Sequence, residues 1–239
     1  MNSGDNVDDN LYRRHAAEHA LGYVESGMTI GLGTGSTATC MLHGLAARLS
    51  DGRLQRVTGV PTSEATAALA RELGIPLTTL DRQPHLDLAL DGADEIDPQL
   101  RLIKGLGGAM LREKIVAASA ARFVVMASAG KCVERLGERS PLPVEVVAFG
   151  LPLCVRHLRA LGGVPALRRD RSGAPFVTDE GNLILDCNFG VIADPETLAA
   201  SICAIPGVVA HGLFLGMVSL AVIAGPDGIV ELHAPSVHQ

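Results

Sequence analysis

Tryptophan is absent from this 239-residue chain, and five Phe and two Tyr are its only aromatic residues. An interior of that make-up must be packed from Ala, Val, Leu and Ile rather than from large rings. Long apolar runs are missing as well. No stretch of about 18 uncharged apolar residues occurs, so no transmembrane helix and no membrane contact are expected. The opening residues, MNSGDNVDDN, are acidic and polar and lack the basic and apolar parts of a signal peptide, which leads us to expect a cytoplasmic protein. The five cysteines, Cys40, Cys132, Cys154, Cys187 and Cys203, contain no C-x-x-C pair. That excludes a patterned zinc site or disulfide framework and leaves them as small buried hydrophobes. A net charge of −6 argues against a nucleic-acid surface. It does not argue against a small anionic ligand, because a phosphate can be held by backbone N–H groups and one or two cations.

Lysine is the scarcest of the common charged residues. Against seventeen Arg there are three Lys, and all three lie between positions 104 and 131. A guanidinium is wide and planar and an ammonium is compact, so a chain that uses Arg almost everywhere can retain Lys where only an ammonium fits. Chance clustering of surface lysines is the competing explanation. Lys104 and Lys131 are read as functional. Lys114 follows Glu113 in a helical run and is read as part of a solvated helix face.

What is present is an alternation of elements. Apolar spacing predicts a helix over 9–25, a short buried strand over 28–32, a helix over 37–49, a strand over 57–60 and a helix over 63–73. Strands follow at 77–80 and 86–90, then a helix over 108–121 and a strand over 123–126. The alternation implies βαβ units and a mostly parallel sheet flanked by helices, an α/β fold. Pro141-Leu-Pro143 marks a change of pattern. Beyond it we expect a strand over 144–148, a helix over 151–161, a hairpin over 175–187 turning at Asp179–Asn182, and a helix over 195–204 opened by Asp194-Pro195. That mixture predicts a smaller α+β domain over 139–207. Residues 208–232 return to apolar strands with a turn at Gly225–Gly228 and are expected to rejoin the first sheet. The larger domain would then comprise residues 1–138 and 208–239.

Three loops fall where open α/β sheets place ligands, at the carboxyl ends of strands. Gly31-Leu-Gly-Thr-Gly-Ser-Thr-Ala38 has glycines that let a ligand approach the backbone, and hydroxyls and helix-start amides that can ring a phosphate. It fits neither a Walker A loop nor a full dinucleotide fingerprint. A plain strand-to-helix turn stays open as the alternative. Asp91-Gly-Ala-Asp-Glu-Ile-Asp97 packs four carboxylates into seven residues. Crowding of like charges raises at least one pKa, which suits proton transfer near neutral pH. An acidic surface turn or a calcium or magnesium loop would have the same composition, although the EF-hand spacing is not met. The third loop, Lys104-Gly-Leu-Gly-Gly-Ala-Met-Leu-Arg-Glu113-Lys114, joins a cation, a glycine-rich turn and a helical carboxylate. A carboxylate base, paired carboxylic acids and an ammonium are the parts needed to move a proton between adjacent carbons of a sugar and to stabilise the enediolate. The eight His lie away from all three loops.

Taken together these segments resemble the A-type ribose-5-phosphate isomerases. Gly-Thr-Gly-Ser-Thr, Asp-Gly-Ala-Asp-Glu-Ile and Lys-Gly-x-Gly-Gly-Ala-x-x-Arg-Glu-Lys occur in that order, and Pro141-Leu-Pro-Val-Glu-Val146 and Gly181-Asn-x-Ile-Leu-Asp186 add to the set. The resemblance runs over nearly the whole chain. It implies a Rossmann-like domain with a smaller α+β domain inserted near the C-terminal end. It implies interconversion of ribose 5-phosphate and ribulose 5-phosphate in the non-oxidative pentose phosphate pathway, by a homodimer or homotetramer without metal, nucleotide or other cofactor. Residue by residue, it makes Glu113 the base between C1 and C2. Asp91 and Asp94 become the acids for ring opening and the O1/O2 protons, and Lys104 and Lys131 cations on the substrate. Thr34, Gly35, Ser36 and Thr37 form the binding loop, and Asp91, Gly92, Ala93 and Asp94 with Lys104, Gly105, Leu106 and Gly107 line the site. The run Ser128-Ala-Gly-Lys131 departs from the family's usual Asp-x-Ser-Lys.

Two other functions are weighed. A sugar-phosphate-sensing regulator would need a DNA-binding module, for which there is little sequence ahead of the first motif. A sugar-phosphate deaminase or lactonase would be expected to bring a His beside the reacting carbon, and none lies near these loops.

Overall fold

A computed structural model of the chain describes residues 3–234. In chain order its elements are α1 (Ser3–Ala20), β1 (Thr29–Leu32), α2 (Ser36–Ser50), β2 (Thr58–Pro61), α3 (Glu64–Glu72), β3 (Leu88–Asp91), β4 (Glu95–Ile96), β5 (Leu102–Ile103), α4 (Met110–Ala118), β6 (Phe123–Ser128), β7 (Leu142–Val146), α5 (Leu151–Ala160), β8 (Val164–Leu167), β9 (Leu183–Asn188), α6 (Pro195–Cys203), β10 (Val208–His211), β11 (Leu213–Phe214), β12 (Leu220–Gly225) and β13 (Gly228–His233). They divide into two compact units. The first holds the chain up to Ala93, Arg112–Cys132, and the chain from Met217 onward; the second holds Asp94–Leu111 and Val133–Gly216.

The first unit is built on a six-stranded sheet of order β13-β12-β6-β3-β1-β2. Every pairing is parallel except that of β13 with β12. Parallel strands covered on both faces read as unbroken apolar runs, and β3 and β6 are buried along their full lengths. Ile30, Leu32, Met41, Leu42, Leu45, Leu88, Leu90, Val124, Met126, Leu220 and Val222 form the core, with Ala16, Ala17, Ala20 and Leu21 closing it. It is the aliphatic core that the scarcity of aromatic residues requires. Two glycines permit close packing. A Cβ on Gly31 would lie 2.4 Å from Val116 of α4, and one on Gly59 would lie 2.3 Å from Leu32.

The second unit is α+β. A four-stranded antiparallel sheet of order β10-β7-β9-β8 carries α5 and α6, and a smaller sheet of order β11-β5-β4 accompanies it. Val144, Val146, Cys154, Leu158, Leu185, Cys187, Ile202 and Ile205 make its core. Asp194 caps α6 by accepting the Thr197 N–H at 2.9 Å, with Pro195 at the first helical position, as the sequence suggests.

Several expectations differ in detail. The unit borders are not those expected at 138/139 and 207/208, because β4 pairs with β5 and β5 with β11, which carries 94–111 into the second unit. Residues 1–2 and 235–239 of the expected larger domain lie outside the described residues. Of residues 208–232, only β12 and β13 join the first sheet; β10 pairs with β7 and β11 with β5. The first helix ends at Ala20 and tightens into a 3-10 turn over Leu21–Tyr23, at Gly22, a weak helix former. The strand expected over 77–80 reduces to one bridge between Leu77 and Gly59, since Thr79 starts a turn by accepting from Arg82 and Gln83. The strand expected over 144–148 runs over Leu142–Val146, and Ala148 begins a 3-10 turn. The hairpin expected over 175–187 keeps its turn and its second arm, β9, but pairs across that turn only at Val177 and Leu183. Residues 174–176 turn back instead onto 168–170 around Ser172-Gly173, where Asp170 accepts the Ser172 N–H at 2.8 Å in an Asx turn. Of the cysteines expected to be buried, Cys154 and Cys187 are; Cys40 and Cys132 are half-buried and Cys203 is exposed. Burial pushes the Cys187 thiol up to about 12.

Candidate active site

In the first unit the strand order reverses direction at β1. The chain goes from β1 to β2 on one side and then to β3 on the other, and an open α/β sheet offers a crevice at the carboxyl ends of such a pair. Gly33 follows β1 and Asp91 ends β3. Gly33 N–H donates to Leu90 O at 2.9 Å. Asp91 is 3% exposed, and its Oδ1 accepts from Thr34 N–H at 3.1 Å and Gly92 N–H at 2.7 Å. The turn closes this tightly because position 33 has no side chain. A Cβ there would lie 2.2 Å from Asp91 Oδ1 and 2.7 Å from its Cα.

Thr34 turns its hydroxyl the other way, into a cluster with Thr62 (2.7 Å), Ser63 (2.9 Å) and Thr66 (3.0 Å). Ser63 also meets Thr66 at 3.0 Å, while Thr62 and Thr66 reach the carbonyls of Leu32 and Gly33, each at 3.0 Å. Thr34 donates to Ser63, Ser63 to Thr66, Thr66 to Gly33 O and Thr62 to Leu32 O, so each of the four hydroxyl protons has an acceptor. Gly35, at φ +109°, precedes Ser36, the first residue of α2. Gly35 and Ser36 are exposed and Thr37 is half-buried. The amides of that first turn have no earlier helical carbonyl to use, which suits an anion.

Glu113 lies on α4, and burial leaves its side chain only 5% exposed. Arg112 beside it is tied to Glu64 of α3 at 2.8 Å, which draws the Glu64 carboxyl below its usual range. Lys131 ends a 3-10 turn that follows β6 and is half-buried. Ser128, where that run departs from the family's usual Asp, is 2% exposed. Lys114 is half-buried rather than on a fully solvated face.

In the second unit the acidic run separates into distinct roles. Asp94 N–H donates to Ile103 O at 2.9 Å, and Asp94 Oδ2 accepts the Leu106 N–H at 3.0 Å. Glu95 is fully buried, and its carboxylate accepts the backbone N–H groups of Gly137, Arg139 and Ser140 at 2.5–2.7 Å. Asp97, 1% exposed, accepts from the amides of Gln99 and Arg101 and pairs with the Arg101 guanidinium at 2.6 Å. Glu95 and Asp97 thus organise loops of their own unit. Each of the four carboxylates of the run has its own donors. Lys104 is 2% exposed, with its Nζ 5.6 Å from the centre of the Phe214 ring and its N–H donating to Gly212 O at 2.9 Å. Gly105, at φ +107°, turns the chain after it; Leu106 and Gly107 are exposed.

Sequence reasoning missed Arg168 and Phe176, which touch the Gly105–Gly108 turn. Their one sequence signal is indirect, since Asp186, the partner of Arg168, ends the Gly181–Asp186 motif. His211 is buried beside Gly212, next to the backbone partner of Lys104, although the His residues look dispersed in sequence. Among the described residues no group of three or more His, Cys, Asp or Glu is placed to hold a metal ion. Nor is any described helix long and apolar enough to cross a membrane.

Ribose 5-phosphate isomerase A (phosphoriboisomerase A) is the family whose profile matches residues 58–228. The chain belongs to that family. It is 91% identical to the ribose-5-phosphate isomerase A of Roseiflexus sp. strain RS-1, over 98% of this chain and all of that one. It is 85% identical to the protein of the same name from Roseiflexus castenholzii, over 96% of this chain and 98% of that one. A solved D-ribose-5-phosphate isomerase in complex with phospho-erythronic acid superposes with a TM-score of 0.91 at 35% identity, covering 98% of this chain and 100% of that one. The ribose 5-phosphate isomerase A of Methanocaldococcus jannaschii superposes with a TM-score of 0.90 at 40% identity, covering 94% and 99%. The α/β class and the mostly parallel sheet expected from the sequence are those of these structures.

Proposed function

We propose that this chain interconverts ribose 5-phosphate and ribulose 5-phosphate through an enediolate. One observation carries the reading. Asp91, Lys104 and Glu113 are each no more than 5% exposed, yet burying an ionisable group costs free energy that an ordinary surface residue would not incur. Glu113 takes the C2 proton of the open-chain aldose and returns it to C1. Asp91 and Asp94 handle ring opening and the protons on O1 and O2. Lys104 stabilises the charge that develops on the enediolate oxygens, and Lys131 supplies a second cation to the substrate. Thr34, Gly35, Ser36 and Thr37 bind the anionic sugar with amides and hydroxyls. Gly92, Ala93, Gly105, Leu106 and Gly107 are further substrate-binding residues of this reading. Protons and fixed charges do this work without metal or nucleotide, in a cytoplasmic homodimer or homotetramer that binds neither nucleic acid nor membrane.

The test is direct. Purified protein with ribose 5-phosphate, after exhaustive chelation, is expected to form ribulose 5-phosphate at the rate of untreated protein. No ribulose 5-phosphate under any condition would overturn the function. Activity lost on chelation and restored by magnesium or zinc would overturn the metal-free mechanism.

A further inference from the structure

Arg168 stands at the end of β8 with its guanidinium used in every direction. Nε donates to Asp186 Oδ2 at 2.9 Å, and one terminal nitrogen donates to Asp186 Oδ1 in a second short contact. The other terminal nitrogen donates to Gly105 O at 2.9 Å and to Leu106 O at 3.2 Å. The Phe176 ring lies 5.8 Å from the guanidinium, held alongside by the Phe176 N–H donating to Arg168 O at 2.9 Å. The same ring occupies the place of a side chain at position 108, where a Cβ would lie 2.5 Å from its Cζ. Arg168 and Phe176 therefore grip the turn after Lys104 at both ends, by two carbonyls and by a bare Cα. The peptide held in this way turns the Leu106 N–H onto Asp94 Oδ2 at 3.0 Å.

The geometry points to Arg168 as a positioning residue for the isomerisation, an inference that rests on the roles proposed above for Asp94 and Lys104. It acts through the 105–108 turn, fixing the Asp94 carboxylate and the start of Lys104. Only a planar fork can hold a carboxylate on one edge and two carbonyls on the other. An ammonium at the end of a lysine can serve one set or the other. Because the aligned groups act on the reacting oxygens, loosening the turn weakens transition-state stabilisation more than ground-state binding.

Arg168→Lys tests this, with Asp186→Asn as the milder second variant. Arg168→Lys is expected to lower kcat at least about tenfold with KM within about threefold, and Asp186→Asn to lower kcat by a smaller factor in the same pattern. Hydrogen exchange gives a readout independent of activity. In each variant, amides of residues 104–108 are expected to exchange faster than in the wild type while those of 29–36 stay unchanged. Kinetics within about twofold of wild type for both variants, or unchanged exchange over 104–108, would overturn the inference. So would a fall in stability with kcat intact in the folded protein, the result expected of a contact that only holds the fold together. If the wild type itself forms no ribulose 5-phosphate, the functional reading fails, while the exchange measurement still decides whether Arg168 holds the turn.

Discussion

The two glycine-rich turns are held by different means. The turn at Gly33–Gly35 belongs to the first unit and rests on its neighbours in the sheet: the Asp91 carboxylate accepts its amide, and the Thr62, Ser63 and Thr66 hydroxyls surround Thr34. The turn at Gly105–Gly108 belongs to the second unit and is held by Arg168, some sixty residues further along the chain, with an aromatic ring against its last glycine. The first is a feature of a parallel sheet at its switch point, which any ligand-binding sheet of this kind offers. The second is a construction of charge and ring following Lys104, made by Arg168 and Phe176.

The largest effect we expect separates chemistry from both kinds of support. Glu113→Gln keeps the shape and hydrogen-bonding reach of a side chain on α4 but removes its basicity. Steady-state kinetics should show kcat reduced by about 10²–10⁴ with KM little changed. A Gln variant turning over near the wild-type rate would remove Glu113 from the mechanism and leave the two turns as mere binding elements.

Gly33→Ala strikes the first turn alone. The added Cβ would meet Asp91 Cα at 2.7 Å, and backbone cannot swing aside as a side-chain tip can. We expect a destabilisation of about 1–3 kcal/mol in denaturant titrations, typical of overpacking. Displacement of Asp91 should lower kcat/KM by more than about tenfold. An Ala variant with wild-type stability would mean that this turn is softer than its contacts suggest, and the contrast with the second turn would lose its basis.

Lys104→Arg sharpens the other side of the comparison. The wider guanidinium must fit a place that is 2% exposed, beneath the Phe214 ring and beside a turn that Met110 already crowds at Gly105. Kinetics should show kcat/KM down by about tenfold, equivalent to roughly 1.4 kcal/mol of transition-state stabilisation. Lys114→Arg serves as the control and should stay near wild type. Its half-burial makes that a stricter control than a fully solvated lysine would be. Equal losses in the two variants would make the clustering of lysines accidental.

How much of this was legible in the sequence follows the same division. The sheet was legible because strands buried on both faces, such as 86–90 and 123–126, leave continuous apolar runs. Loops after such strands must sit at carboxyl ends, so the segments around Thr34 and Asp91 could be singled out from residue types alone. The two-residue strands β4 and β5 carry no periodicity, and β11, the other partner of β5, lies more than a hundred residues away, so the unit borders were invisible. Spacing could not tell Asp94 from Glu95 and Asp97 either. What assigns Glu95 to a structural role is a ring of amides from 137–140, and what assigns Asp97 is Arg101. Arg168 looked like one of seventeen arginines, since its meaning lies wholly in contacts made across the fold.

The smallest effect tests the hydroxyl cluster of the first turn. Thr66→Val replaces one hydroxyl by a methyl of similar size, at a residue 5% exposed on α3. It removes contacts with Thr34 and Ser63 and the donor to Gly33 O. Were each an independent buried hydrogen bond, losing three would cost about 3 kcal/mol or more. Thr34 already donates to Ser63, however, so its proton keeps an acceptor, and the Ser63 hydroxyl is free to rotate to a new one. Helix propensity hardly changes between Thr and Val. The expected loss is therefore about 1 kcal/mol by denaturant titration, mostly from the unmet Gly33 carbonyl. With Asp91 still gripping the Thr34 amide, kcat/KM should stay within about twofold of wild type. A loss near 3 kcal/mol would show that the Ser63 hydroxyl finds no other acceptor, making the first turn as dependent on single contacts as the second is on Arg168.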